Sequence, residues 1–275
     1  MKQVVLITGC SRGLGKLLAE RLAKKGFIVY AGMRKLEDIK RLKTVWKDSS
    51  SIIHPIKIDI TLDEDCKKAV KKIIANEKHI DVLINNAAYG LSGPTDSFTS
   101  QQYLDILNTN AVGAFRLIRE VAPQMRSQKK GRIINITSLN GILALPNFGL
   151  YCSSKFALEA LALALRYELK NSGVWVTNIE PGAIAQNISS VEKTSSVKKL
   201  SHVPAREKFW ILKKLMPMVT QEEIIKTIER VIENSNPPAR IILGRDAQIT
   251  TFLQRFLPQR IWDFLLSFIS RRSKK

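Results

Sequence analysis

The chain has little cysteine and little histidine, 3 of each in 275 residues, and neither set falls at metal-ligand spacing. Cys10, Cys66 and Cys152 cannot all pair within one chain, which predicts reduced thiols in a reducing compartment. His54, His79 and His202 are scattered, so no metal site is expected. Long apolar runs are missing too, since nothing approaches the roughly 20 residues needed to span a bilayer. The QVVLI run at 3–7 passes directly into a glycine turn with no small-residue cleavage region, an argument against a secretory signal and for a cytoplasmic protein. Acid is scarce: Asp and Glu number 24 against 44 Lys and Arg, a net charge of +20. Half of that excess lies in the last third, Lys193 to Lys275, with 17 basic and 7 acidic residues. Such a balance suits nucleic acid, an anionic membrane or an anionic substrate. No helix-turn-helix, zinc or ribonucleoprotein motif supports the first, so no nucleic-acid partner is expected.

What is present reads as one α/β domain, with 45% hydrophobic and 25% charged residues and room for a full core. VVLI at 4–7 has the pattern of a buried strand, and TGCSRGLG at 8–15 leads from it into a helix striped with Leu14, Leu17, Leu18, Leu22 and Ala23. Gly9, Gly13 and Gly15, spaced G-x-x-x-G-x-G, let the backbone turn sharply and approach a pyrophosphate at a positive helix N-terminus. The Walker pattern is excluded, because Leu14 replaces its glycine and Leu17 follows Lys16 where Ser or Thr would bind magnesium. A second strand at 27–33 ends in Arg34, and no carboxylate stands there to select NAD through the ribose 2′-hydroxyl. Further strands are expected at 51–58, 81–86, 174–179 and 240–244, with a basic helix over 35–50 and a long helix over 102–128.

The strongest signal is GRIINITSLNGILALPNFGLYCSSK at 131–155, a buried strand, a hydroxyl-rich loop and a helix that opens Tyr151-x-x-x-Lys155. Residues four apart share a helix face, so a phenol and an ammonium reach the same small volume. A nearby cation is expected to favour the ionised phenol and bring it closer to acid–base work near neutral pH. Ser138, just past the strand, is placed to hydrogen-bond a carbonyl or alcohol oxygen beside the tyrosine.

Taken together, TGCSRGLG, DIT at 59–61, NNAA at 85–88, Asn110, Ser138, Tyr151-x-x-x-Lys155 and the Pro181–Gly182 pair resemble the short-chain dehydrogenase/reductase family. They follow the family's order across most of the chain, and the hydroxysteroid and retinol dehydrogenases are the most similar members. The resemblance implies a doubly wound Rossmann-type α/β fold with a mostly parallel sheet of about seven strands. It implies an NADP(H)-dependent exchange of carbonyl and alcohol on a lipophilic substrate, with Tyr151 as general acid/base, Ser138 orienting the oxygen and Lys155 on the nicotinamide ribose. Asn110 would stand behind the lysine and hold a water. Cofactor contacts are implied for Gly9, Ser11, Arg12, Gly13, Leu14, Gly15, Arg34, Asp59, Ile60, Asn86, Pro181, Gly182 and Ile184, besides Tyr151 and Lys155. Arg12 and Arg34 stand where the family's basic residues meet the NADP 2′-phosphate, and guanidinium–phosphate pairing gives that preference its physical basis. The family's Asp59 and Ile60 positions flank the adenine. Ala88 replaces the more usual glycine, and Gln186 the more usual threonine. Relatives also pair through the helices over 102–128 and 151–171, which implies a homo-oligomer.

Two segments stand outside the motifs. Residues 187–220, rich in Ser and Lys and containing Trp210, read as a substrate lid, within an oxidoreductase domain over 1–248. At 249–275, Ile249, Phe252, Leu253, Phe256 and Leu257 precede Pro258, and Ile261, Trp262, Leu265, Leu266, Phe268 and Ile269 follow it, before the basic end RRSKK. That is the pattern of an amphipathic helix peripheral to an anionic membrane, or of one packed on protein. A 3-oxoacyl reductase and a non-catalytic NADP-binding sensor remain as alternative functions.

Overall fold

A computed structural model describes residues 2–49, 52–184 and 218–270. Seven strands form one sheet in the order β3-β2-β1-β4-β5-β6-β7, every neighbouring pair parallel. They are β1 (Val4–Thr8), β2 (Ile28–Met33), β3 (Ile53–Lys57), β4 (Val82–Asn85), β5 (Gly131–Ile136), β6 (Val174–Pro181) and β7 (Arg240–Leu243). The helices are α1 (Gly13–Lys24), α2 (Leu36–Val45), α3 (Asp63–Glu77), α4 (Ser100–Leu107), α5 (Gly113–Ser127), α6 (Gly149–Glu168), α7 (Gln221–Glu233), α8 (Arg245–Phe256) and α9 (Gln259–Ser270). The expected doubly wound architecture is therefore present, and each expected strand lies within a residue or two of its place.

A parallel sheet covered on both faces needs strands that are apolar on both sides, and β1 is buried at all five positions. Alternate side chains leave to opposite faces. Val5 and Ile7 join Leu18 and Leu22 of α1, Leu42 of α2 and Ile224 and Ile228 of α7 in one core. Val4 and Leu6 join Val70 and Ile73 of α3 and Leu117 and Val121 of α5 in the other. From β1 the order runs outward to β2 and β3 on one side and to β4 on the other, and the carboxyl ends at such a reversal border the crevice where doubly wound folds bind ligands.

The long helix expected over 102–128 is interrupted in a way the pattern did not show. Residues Asn108–Val112 form a π-helical turn between α4 and α5, the kind of local widening often found at functional sites. Leu158 and Ala162 of α6 and Leu169 just past it are buried in the core. The helix begins at Gly149 and ends at Glu168, close to its expected limits. Past β7 the amphipathic segment is two helices, because Leu257 has extended backbone before Pro258. The lid expected at 187–220 and Gln186 lie outside the described residues, apart from 218–220.

Candidate active site

The turn after β1 is built for close contact. Gly13 sits at φ +57, in the left-handed region, and a Cβ there would find no atom nearer than 4.0 Å. At Gly15 a Cβ would stand 2.4 Å from the Gly9 carbonyl oxygen, so α1 can pack against the turn only with glycine there. Asn86 ties this turn to the end of β4: its Nδ2 donates to the Thr8 carbonyl at 2.8 Å, and its backbone N–H donates to Thr8 Oγ1 at 3.0 Å. No side chain caps α1 and no acid occupies its first turn. An open glycine beside an uncapped helix N-terminus fits the pyrophosphate of a dinucleotide.

Arg12 and Arg34 flank that turn, both exposed. Neither makes a hydrogen bond or ion pair among the described residues, which suits cations that await a phosphate. Arg41 of α2, which the sequence reading did not single out, donates to the Ser11 carbonyl at 2.9 Å and pairs with Asp38 at 3.0 Å. Its signal was a third arginine one helix further on, masked by the general basicity of residues 35–50. Leu14 packs against the core. Asp59 uses Oδ1 to accept from the Thr61 N–H and hydroxyl at 3.0 and 2.6 Å, while Ile60 is buried against Gly113.

The second half of the site is carried by β5 and α6. Ser138 caps a short 3-10 turn, accepting from the Asn140 N–H at 3.1 Å, and its hydroxyl stands near enough to the Tyr151 phenol to favour the ionised form. Lys155 is buried, donates to the Ile136 carbonyl at 2.9 Å, and lies 5.8 Å from the centre of the Tyr151 ring. An ammonium has three donors, and among the described residues only this one is used, which leaves two free. Ser138, Tyr151 and Lys155 thus converge as expected.

The electrostatics differ from expectation. Burial raises the Tyr151 phenol above its ordinary value, and the neighbouring Ser138 hydroxyl pulls it only partway back. Lys155 does not depress it, because the ammonium is directed at Ile136 and is itself lowered by burial to about 8. In this arrangement the phenol is protonated at neutral pH, the form needed by a general acid.

Asn110 lies in the π turn and is buried, not on a helix surface. Its Oδ1 accepts from the Tyr89 N–H at 3.0 Å, and its Nδ2 donates to the Tyr89 carbonyl at 2.9 Å and to Ser154 Oγ at 3.0 Å. It therefore pins the loop after β4 to α6, next to Lys155 in the chain. The loop's Gly90 faces the Tyr151 ring, with room for a Cβ at 3.9 Å.

The Pro181–Ile184 turn is gripped by residues that carried no sequence signal. The Ala183 N–H donates to Asp246 Oδ2 at 2.8 Å, and the Gly182 N–H to the Leu243 carbonyl at 2.8 Å. A Cβ at Gly182 would meet the Asp246 carboxylate at 2.3 Å. Ile184 forms a parallel bridge with Val219. Among the described residues no group of three or more His, Cys, Asp or Glu could hold a metal.

Residues 3–196 match the family model described as short chain dehydrogenase. The chain is 31% identical to human retinol dehydrogenase 5 over 284 residues, covering 96% of this chain and 88% of that one. It is 30% identical to a 3-ketodihydrosphingosine reductase of Bacteroides thetaiotaomicron over 270 residues, covering 96% of each. Among solved structures, ElxO with NADP bound superposes with a TM-score of 0.76 at 25% identity, over 88% of this chain and 96% of that one.

Proposed function

The chain belongs to the short-chain dehydrogenase family, and we propose that it exchanges a carbonyl and an alcohol on a lipophilic substrate using NADP(H). The observation that carries this reading is the convergence of Ser138, Tyr151 and Lys155 at the carboxyl end of β5. The cofactor, when bound, supplies or accepts the hydride. Tyr151 gives its phenolic proton to the carbonyl oxygen, Ser138 holds that oxygen through its hydroxyl, and Lys155 offers its remaining donors to the cofactor ribose. Asn110 keeps the Tyr89 loop fixed against α6. On the cofactor side, Gly9, Ser11, Gly13, Leu14, Gly15 and Asn86 shape the pyrophosphate cradle. Arg12 and Arg34 take the 2′-phosphate, Asp59 and Ile60 border the adenine, and Pro181, Gly182 and Ile184 border the nicotinamide.

A lipophilic substrate is supported by the names of the relatives above, one a retinol dehydrogenase and one a ketodihydrosphingosine reductase. A non-catalytic sensor would have no use for the intact Ser, Tyr and Lys set. The direct test is NADPH oxidation with retinoid, steroid, long-chain keto-lipid and 3-oxoacyl substrates. Turnover of the first three groups supports the reading; turnover of the acyl thioester alone replaces it with the fatty-acid alternative.

The C-terminal helices extend the same reading to a membrane surface. Phe252, Phe256 and Phe264 are 61%, 65% and 67% exposed, and Ile249, Ile261 and Leu265 are exposed beside them. Trp262 of the expected stripe is instead buried and anchors α9. No described helix is long and apolar enough to cross a membrane. Exposed aromatics on a chain of charge +20 suit the headgroup layer of an anionic bilayer, each nearby basic residue adding about 1 kcal/mol. A separate exposed set, Phe115 on α5 with Phe156, Leu163 and Tyr167 on α6, suits pairing with a second copy of the chain.

A further inference from the structure

Behind Lys155, α6 enters a polar interior that proton transfer by Tyr151 does not itself require. Glu159 follows the lysine by one helical turn, so residues 151, 155 and 159 share a face. Its carboxylate is buried, and Oε2 accepts from Asn178 Nδ2 at 2.6 Å. Gly141 leaves room for it, since a Cβ there would lie 2.9 Å from Glu159 Cγ. Asn178 is the last rung of a ladder of amides in register across three strands. Asn85 donates to Asn135 at 2.8 Å and Asn135 to Asn178 at 2.9 Å. Each donor in the series is directed toward the glutamate, so the carboxylate terminates a chain of mutually polarised hydrogen bonds.

The charged groups around Glu159 come from three elements. Lys155 lies one turn before it on α6, with its ammonium on the Ile136 carbonyl rather than in an ion pair with Glu159. Glu180, on β6, has no exposed surface and accepts from Arg240 Nε of β7 at 2.5 Å; the same Nε is 3.8 Å from Glu159 Oε2. Burial pushes the Glu180 carboxyl up to about 7, with Glu159 adding to the rise and Arg240 opposing it. Burial lowers Lys155, and Glu159 is the group that opposes that fall.

We propose that Glu159 is a positioning residue for Lys155, an anion oriented by the amide ladder that keeps the ammonium charged inside the protein. This role rests on the assignment of Lys155 to the active site, but it is tested without turnover. A bare lysine so placed would lose its proton, because a buried cation without an anion costs more than a neutral amine.

The experiment is a double-mutant cycle on the full chain with Glu159→Gln, Lys155→Met and both together, followed by urea unfolding from about pH 6.5 to about pH 10. At the low end the two residues are coupled by about tenfold in the unfolding constant, ~1.4 kcal/mol, equal to one unit of pKa. The coupling fades as pH rises through about 8, where Lys155 loses its charge. A glutamate that only fills space and satisfies Asn178 gives a coupling that is absent or unchanged across the range, and either result overturns the proposal. If Glu159→Gln does not fold, Glu159→Asp takes its place, with a smaller coupling that fades over the same interval; a coupling without pH dependence again overturns it. Failure of the wild-type protein to reduce any carbonyl would sink the functional reading while leaving this cycle readable.

Discussion

The carboxyl ends of β4, β5 and β6 and the helices α8 and α9 invert the usual arrangement in opposite senses. The strand ends and the stretch of α6 packed on them are polar where a core is normally apolar: Asn85, Asn135, Asn178 and Glu180 of the strands and Lys155 and Glu159 of α6 are all buried. The two helices are apolar where a surface is normally mixed, with Phe252, Phe256 and Phe264 more than half exposed. Buried polar groups are costly unless their partners are in place, so the first region stores its function in fixed geometry. Exposed aromatics cost little to the folded chain alone and gain only when something covers them. One region works by pre-organisation, and the other waits for a surface.

The comparison breaks first at Arg240. Arg240→Ala leaves Glu180 buried without its cation and is expected to cost ~3 kcal/mol, the low end for a broken buried pair because the arginine is partly exposed. Urea unfolding reads this directly. Its pH dependence has a definite sign. Glu180 stands at about 7 in the folded state, above the ~4.3 of a free glutamate. The folded state thus holds the extra proton between those values, and stability from this group falls as pH rises from about 4.3 to about 7. In Arg240→Ala the fall continues above 7. A substitution of similar size on the exposed face of α8 shows neither effect.

A smaller effect belongs to the cofactor end, where Arg34 is exposed rather than buried. Arg34→Asp removes a charge-assisted contact worth about 1.5–3 kcal/mol, so the ratio of NADPH to NADH affinity falls by about tenfold to a hundredfold. Equal affinity of the wild-type chain for both cofactors, measured by fluorescence titration, would contradict the assignment of the 2′-phosphate. Smaller still is the change at the C-terminal helices. Replacing Phe252 and Phe256 with Ser lowers co-sedimentation with anionic vesicles by about tenfold, with no loss of folding stability. Point changes are preferable to truncation at Gly244, because truncation also removes Asp246 from the Ala183 N–H. If wild-type and variant sediment alike at low salt, the exposed phenylalanines pack on protein instead.

Legibility in the sequence followed the same division. Strands were readable because a parallel sheet demands continuous apolar runs, and the glycine turn because its backbone excludes side chains. Ser138, Tyr151 and Lys155 were readable because two of them sit at helical spacing and the third closely follows a strand. The π turn at Asn108–Val112 was not, since one extra residue in a helix changes no hydrophobic period within a short window. The network of Glu159, Asn178, Glu180 and Arg240 was hidden for a different reason: its members meet through strand register and helix packing, at separations along the chain of up to 81 residues. The expected lowering of the Tyr151 phenol failed on the same ground, because helical spacing brings Lys155 near but says nothing of burial or of the Ile136 carbonyl.

The central claim is that Tyr151 is the proton donor in a site otherwise complete without it. Tyr151→Phe keeps the ring and removes the hydroxyl. NADPH binding should remain within about threefold of wild type, while kcat for the best carbonyl substrate falls by about a hundredfold or more, as expected for loss of a general acid. An unchanged kcat in a variant that still binds NADPH would contradict the account.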